Sequence, residues 1–227
     1  MTLEFLVSTQ WQRILVGNVT PSGSLVDTYL YDNFSAPAMM NFVPTEYEGY
    51  EEGIIPEHAK TYMIYQEGIY VGYKYYETRY EDYVMKSENT GEYAYHDDVA
   101  YPFGYGMSYT DFKYSDMHVT YNKEKDVFEI SVKVTNTGDQ YSGKETVQIY
   151  AQSPYTQYDI DNKVEKSSVA LCGFGKTNEI APGASETLTI TVDRRELASY
   201  DAYGARHIYS GCRGLLSDSG NRCAQCG

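Results

Sequence analysis

"VFEISVKVTNTG", Val127 to Gly138, places Val127, Glu129, Ser131 and Lys133 in alternation with Phe128, Ile130, Val132 and Val134. A period of two puts the first set on one face of a strand and the second on the other, so this stretch reads as a β-strand with one buried face. "TVQIYAQ" (Thr146–Gln152) and "ETLTITVD" (Glu186–Asp193) repeat the pattern, and "NTGDQYSG" and "APGAS" supply turns between such runs. Several short alternating strands punctuated by Gly and Pro predict an antiparallel β-sandwich of about 100 residues, of the immunoglobulin or fibronectin kind. No helix signal competes in this part of the chain.

Upstream the texture differs. "YPFGYGMSYTDF" (Tyr101–Phe112) combines rings, glycines and a proline, which suits an ordered connector whose backbone bends while its rings dock. Before it, "EGIYVGYKYYE" (Glu67–Glu77) carries four tyrosines in eleven positions. This is a sugar-binding face, a catalytic strip or a strand that packs well. Read as extended chain, it puts Ile69, Val71, Tyr73 and Tyr75 on one side and Tyr70, Lys74 and Tyr76 on the other, and the first set is expected in the core. "ILVGNVTPSGSLVDTYLYD" (Ile14–Asp32) reads as strand, turn at Pro21–Gly23, and strand. Glu46 to Glu57 holds five glutamates among Gly49, Gly53 and Pro56, an exposed loop by composition, and its spacing fits no calcium loop.

Composition narrows the partners. With 227 residues, 18 Lys plus Arg and 32 Asp plus Glu, the net charge is -14, which argues against a phosphate backbone or an anionic membrane as ligand. No run is long enough for a membrane span, and "MTLEFLVSTQWQR" lacks the pattern of a signal peptide, so a soluble chain of unknown address is expected. Tyrosine is the outlier at 26 copies. It is both a strand former and a flat ring for sugar stacking, and scaffold explains most copies without a ligand. Cys172 stands alone, while Cys212, Cys223 and Cys226 crowd the tail; "CAQC" with a single nearby His207 is short of zinc ligands, so neither a metal nor another cofactor is expected.

Four blocks in order, "GNVTPSGSLVDTY", "EGIYVGYKYYE", "YPFGYGMSYTDF" and "VTNTGDQYSGKETVQIYAQSPY", followed by "EKSSVALCGFGKT", "IAPGAS" and "LASYDAYG", resemble family 3 glycoside hydrolases, the β-glucosidase and β-xylosidase group. The likeness spans about Ile14 to Gly204. It departs at Lys74, where the family usually has arginine, and a fork-like carboxylate pairing there is lost. The resemblance implies a mainly β chain: an antiparallel fibronectin type III-like β-sandwich preceded by an incomplete α/β sandwich remnant. It implies residues 14–100 as the end of the α/β sandwich, 101–116 as an aromatic and glycine-rich linker, and 117–210 as the fibronectin-like domain. A (β/α)8-like barrel would precede both in an intact enzyme, as the missing partner domain.

A retaining glycosidase needs two carboxyl groups about 5 Å apart, one a nucleophile and one a general acid with a raised pKa. The resemblance puts the nucleophilic aspartate in the barrel and the acid/base glutamate upstream of Glu67, so no catalytic residue is expected here. Glu67 and Glu77, ten residues apart, would lie about 33 Å from each other on an extended chain, too far for a dyad. Glu67, Tyr70 and Tyr76 are the residues expected at the border of the intact enzyme's sugar site.

The two ends break the family pattern. Read one base later with a free choice of codons, Gly211–Gly227 becomes a tyrosine-rich strand followed by an Asp-Ala-His-Asn stretch, the kind of ending the family has. Residues 211–227 are thus read as a frameshifted tail and residues 1–13 as an out-of-frame leader. Loss of the last strand is expected to bare a sheet edge. Poor autonomous stability is expected before about Tyr101, and better order from Met117 to Tyr203. The functional expectation is the C-terminal part of a retaining exo-acting β-glycosidase whose substrates are β-linked oligosaccharides, inactive alone. The alternative is a non-catalytic carbohydrate-binding or protein-docking module.

Overall fold

The computed structural model describes residues 11–48, 60–87, 90–204, 206, 208–209, 215–217 and 222–223. They form two compact units, one from Asp27 to Phe103 and the other from the residues on either side, up to Val26 and from Gly104.

In the Asp27–Phe103 unit, β1 (Tyr29–Leu30) pairs antiparallel with β4 (Val99–Tyr101), and β2 (Thr45–Glu46) with β3 (Thr61–Tyr62). Lys60 and Glu46 pair at 3.1 Å across the second ladder; residues 49–59 of the acidic loop lie outside the described residues. The dominant element is α1 (Tyr73–Met85), followed by the single turn α2 (Tyr95–Asp98). Among the described residues of this unit the buried apolar side chains are Tyr76, Tyr93 and Val99, while Phe34, Phe42, Val43 and Tyr65 are exposed.

The expectation that "EGIYVGYKYYE" is an extended strand is corrected here. Gly72 has φ 57° and ψ -131°, a region open to glycine, and the backbone turns there into α1. Tyr73, Tyr76, Tyr80 and Tyr83 then recur at helical spacing, and the residue that buries is Tyr76, from the set expected to face away from the core. The helix stops at Lys86 in the left-handed region, whose N–H donates to the carbonyls of Asp82 and Tyr83.

The other unit is a β-sandwich. One sheet has the order β5 (Phe112–Asn122), β6 (Val127–Asn136), β9 (Ser185–Asp193), all antiparallel. The second contains β7 (Thr146–Ala151) and β8 (Ala170–Lys176), and the two-residue strands β10 (Ser199–Tyr200) and β11 (Ile208–Tyr209) form a separate ladder. Alternation along β6 is as read from sequence: Phe128, Ile130, Val132 and Val134 are buried. They meet Val147, Ile149, Ala151, Cys172, Ile190 and Val192 in one core cluster. The two sheets approach closely because β8 carries Gly173 and Gly175 inward; a Cβ on Gly173 would lie 2.8 Å from Val192 Cγ2.

One buried polar group organises the loops at one end of this sandwich. Asn136 is fully buried; its Nδ2 donates to the carbonyls of Tyr141 and Ile180, each at 2.9 Å, and its Oδ1 accepts from the Thr110 hydroxyl and from Gly138 N–H. All of its hydrogen-bonding capacity is used, which is what permits an amide in an apolar core. The connection between β7 and β8 holds α3 (Gln157–Asn162), begun by a capping box of Thr156 and Asp159. This short helix had no signal in the alternation pattern.

Residues on the N-terminal side also belong to this unit. Leu25 N–H donates to Tyr105 O at 2.8 Å and Gly104 N–H to Leu25 O at 2.9 Å, so the connector pairs with the Pro21–Val26 stretch. Gly104 has φ 84°, which fits its place at the bend. Residues 11–15 are helical, so the strand read from Ile14 does not begin there. The outer edge of β7 is paired: β12 (Leu215–Ser217) runs along it from Leu215↔Ala151 to Ser217↔Ile149, and β13 (Arg222–Cys223) pairs with β12. Backbone ladders do not depend on side-chain identity, so a segment without a strand signal in its sequence can pair there. Residues 1–10, 211–214, 218–221 and 224–227 of the two ends lie outside the described residues, as do Cys212, Cys226 and His207.

Candidate functional site

The densest set of polar aromatic groups lies on and around α1. The tyrosines that sequence singles out are brought together there with Ser35, Arg79, Tyr80, Tyr93 and Tyr95, which it did not single out. Tyr76, 2% exposed, shares a hydrogen bond of 3.1 Å with the Ser35 hydroxyl and meets Tyr75 edge-to-face at 5.0 Å. Arg79, one turn beyond Tyr75, donates to Tyr75 Oη at 3.3 Å and lays its guanidinium 4.9 Å from the centre of the Tyr93 ring. Tyr95 donates to Glu77 Oε1 at 2.6 Å and packs edge-to-face on Tyr80 at 5.5 Å. Tyr73 stacks on Phe103 at 4.8 Å.

Tyr93 is the unusual member. It is 5% exposed, and among the described residues its hydroxyl has no hydrogen-bond partner. Burial raises its pKa well above the ordinary phenol range, and the charge of Asp98 adds to this, while Arg79 works against it. Burial likewise raises Tyr76, opposed only in part by its bond to Ser35. Both phenols are therefore held protonated at neutral pH. They can donate hydrogen bonds and offer ring faces, but they are poor bases.

Glu67 sits half-buried before α1, its carbonyl accepting the Tyr70 N–H at 2.9 Å; Tyr70 is also half-buried. Glu77 lies on the helix and is bonded to Tyr95. The 33 Å separation reckoned for an extended chain does not apply to a helix, but Glu77 is drawn into the aromatic cluster. Lys74 lies half-buried on α1. Arg79 was legible in principle, since Tyr75 and Arg79 are four apart on a helix; Tyr93 and Tyr95 had no sequence signal. Among the described residues no three His, Cys, Asp or Glu side chains converge as a metal site. Cys172 is buried and donates to Ile149 O at 3.3 Å.

Comparison with known proteins gives this arrangement a class. Residues 145–215 match the fibronectin type III-like domain model. The chain is 37% identical over 192 residues to a β-glucosidase of Ruminococcus albus, covering 85% of this chain and 16% of that enzyme. It is 33% identical over 190 residues to thermostable β-glucosidase B of Acetivibrio thermocellus, covering 83% and 20%. Among solved structures, a β-glucosidase from Paenibacillus barengoltzii superposes with a TM-score of 0.65 at 31% identity, over 94% of this chain and 21% of that one. β-Glucosidase 3B of Thermotoga neapolitana, solved in complex with α-D-glucose, gives 0.60 at 28% identity, over 90% and 26%.

The sandwich is thus of the fibronectin type III-like class found in β-glucosidases. The chain belongs to the family 3 glycoside hydrolases, of which it represents a C-terminal part. It spans between 16% and 26% of the length of these four relatives.

Proposed function

We propose that the chain serves a retaining, exo-acting β-glucosidase-like enzyme as its non-catalytic C-terminal portion and does not itself cleave glycosidic bonds. The observation that carries this reading is the coverage: over four-fifths of this chain matches less than a quarter of two β-glucosidases. Glycoside hydrolysis with retention needs two carboxyl groups about 5 Å apart, one of them protonated. The α1 cluster instead offers protonated phenols, an arginine and one hydrogen-bonded glutamate, which suits scaffold beneath a sugar site. On this reading Glu67 and Tyr70 border the site of the intact enzyme and Tyr76 supports them from below. The substrate there is a β-linked oligosaccharide, and the partner is a barrel domain carrying the nucleophile. The net charge of -14 makes nucleic acid and anionic membrane poor partners on this reading; among the described residues no helix is long and apolar enough to cross a membrane.

A second reading, a carbohydrate-binding or protein-docking module, is favoured by aromatic side chains that the sandwich turns outward, Phe174 at 71% and Tyr155 at 59% exposed. Hydrolysis of a chromogenic β-glucoside by the purified 227-residue chain, beside an intact relative, tests the first reading; turnover that survives repurification overturns it. Calorimetric titration with β-linked oligosaccharides separates the second, since sugar binding without turnover is its signature.

A further inference from the structure

The two outer strands of the β5–β6–β9 sheet are treated differently. Along β5 the ladder is broken between Ser115 and His118, with Asp116 at φ 51° and its carboxylate 3.8 Å from Lys133 Nζ. A bulge with charges beside it is a recognised guard against edge-to-edge pairing. β9 has no such guard. Its ladder with β6 runs through nine pairs without a break, from Val127↔Asp193 to Thr135↔Ser185. Among the described residues no strand pairs with its other edge. Every second residue of β9 therefore turns an N–H and a C=O outward.

The sequence of that edge fits itself. Thr187-Leu188-Thr189-Ile190-Thr191 has the same pattern in both directions. Two antiparallel copies centred on Thr189 set Thr187 opposite Thr191, Leu188 opposite Ile190, Glu186 opposite Val192 and Ser185 opposite Asp193. Threonine faces threonine on the outer side, Leu188 faces Ile190 at the centre of the inner side with Glu186 beside Val192 at its ends, and no like charges meet. Glu186 is further held by Asn178, whose N–H and Nδ2 donate to its carboxylate at 2.9 and 3.0 Å. β8 does not block the approach, because Gly173 and Gly175 stack it across β9 in the opposite sheet.

We propose that the free edge of β9 is an interface for a second copy of this chain, joining two β5–β6–β9 sheets into one across a two-fold axis at Thr189. Such an interface is isologous, the same patch serving both copies.

Sedimentation of the full 227-residue chain over a concentration series tests it. The unmodified chain is expected to pass from monomer to dimer. Thr189→Lys and Thr189→Glu each place like charges on the axis and should weaken dimerisation by about tenfold or more, while an equimolar mixture of the two restores it as a heterodimer. Thr189 is exposed, so both variants should keep the wild-type thermal unfolding profile. Hydrogen exchange at amides 186–192 of the unmodified chain should slow as concentration rises, a readout that needs no variant. A chain that stays monomeric, variants that dimerise as the unmodified chain does, a mixture that gains nothing, or concentration-independent exchange would each overturn the proposal.

Discussion

Lys166 and Asp159 form an ion pair of 2.8 Å inside the connection between β7 and β8, with side chains 4% and 0% exposed. Asp159 Oδ2 also accepts from Thr156 N–H at 2.6 Å and Thr156 Oγ1 at 2.7 Å, while Lys166 Nζ donates to Pro154 O at 2.9 Å. Removing one partner strands the other charge in the interior. Lys166→Met alone should cost about 3–5 kcal/mol in urea unfolding, and the Lys166→Met/Asp159→Leu pair distinctly less than the sum of the single changes. Equal, additive losses would mean that the two charges do not act as a pair.

Alkaline unfolding should report the Tyr93 environment. Its phenol is protonated in the folded chain above the pH at which a free phenol ionises, so beyond pH about 10 the unfolded state binds fewer protons than the folded one. Stability is therefore present below that pH and falls as pH rises through the gap. Tyr93→Phe removes an unpartnered buried hydroxyl, so it should blunt this loss and be neutral or stabilising at pH 7. Thermal melts at pH 7 and pH 11, with phenolate absorbance followed in parallel, check both points.

Asn136→Ala takes two donated and two accepted hydrogen bonds out of the buried end of β6. A loss of about 2–4 kcal/mol is expected, with faster hydrogen exchange at Gly138 and the amides near Ile180. Asn136→Asp keeps the acceptor for Thr110 and Gly138 but presents a carboxylate to two carbonyls, so it should be no better tolerated at neutral pH.

Gly173→Ala tests the closeness of the sheets. The new methyl would meet Val192 Cγ2 at 2.8 Å and Ile190 Cγ2 at 3.0 Å, and overpacking of that kind costs about 1–3 kcal/mol. Gly23→Ala, with open space around it, is the matched control and should leave the melting temperature unchanged.

The sandwich was legible because β6, β7 and β9 each carry their own alternation. A strand buried on one side must alternate, and β6 does so from Val127 to Val134 without exception. The α1 segment was not, for two reasons of physics. Tyrosine has strong β-propensity, so a short window rich in it looks extended. Its helical spacing shows only when the window runs past Glu77 to Tyr80 and Tyr83, and when Gly72 is read as the hinge that ends the extended chain. The cluster around α1 was half legible: Tyr76 lies in the quoted block, whereas Arg79 lies two residues beyond it. Tyr93 joins through tertiary contact alone, which no local pattern encodes.

The pairing of Leu25 with Gly104 and Tyr105 means that the chain leaves the sandwich for Asp27–Phe103 and returns within one strand spacing of where it left. Topologically that whole stretch is a detour. Excising it and joining Val26 to Gly104 through a two-residue turn leaves an ordinary hairpin, and the sandwich would fold around it without threading or re-registering any strand.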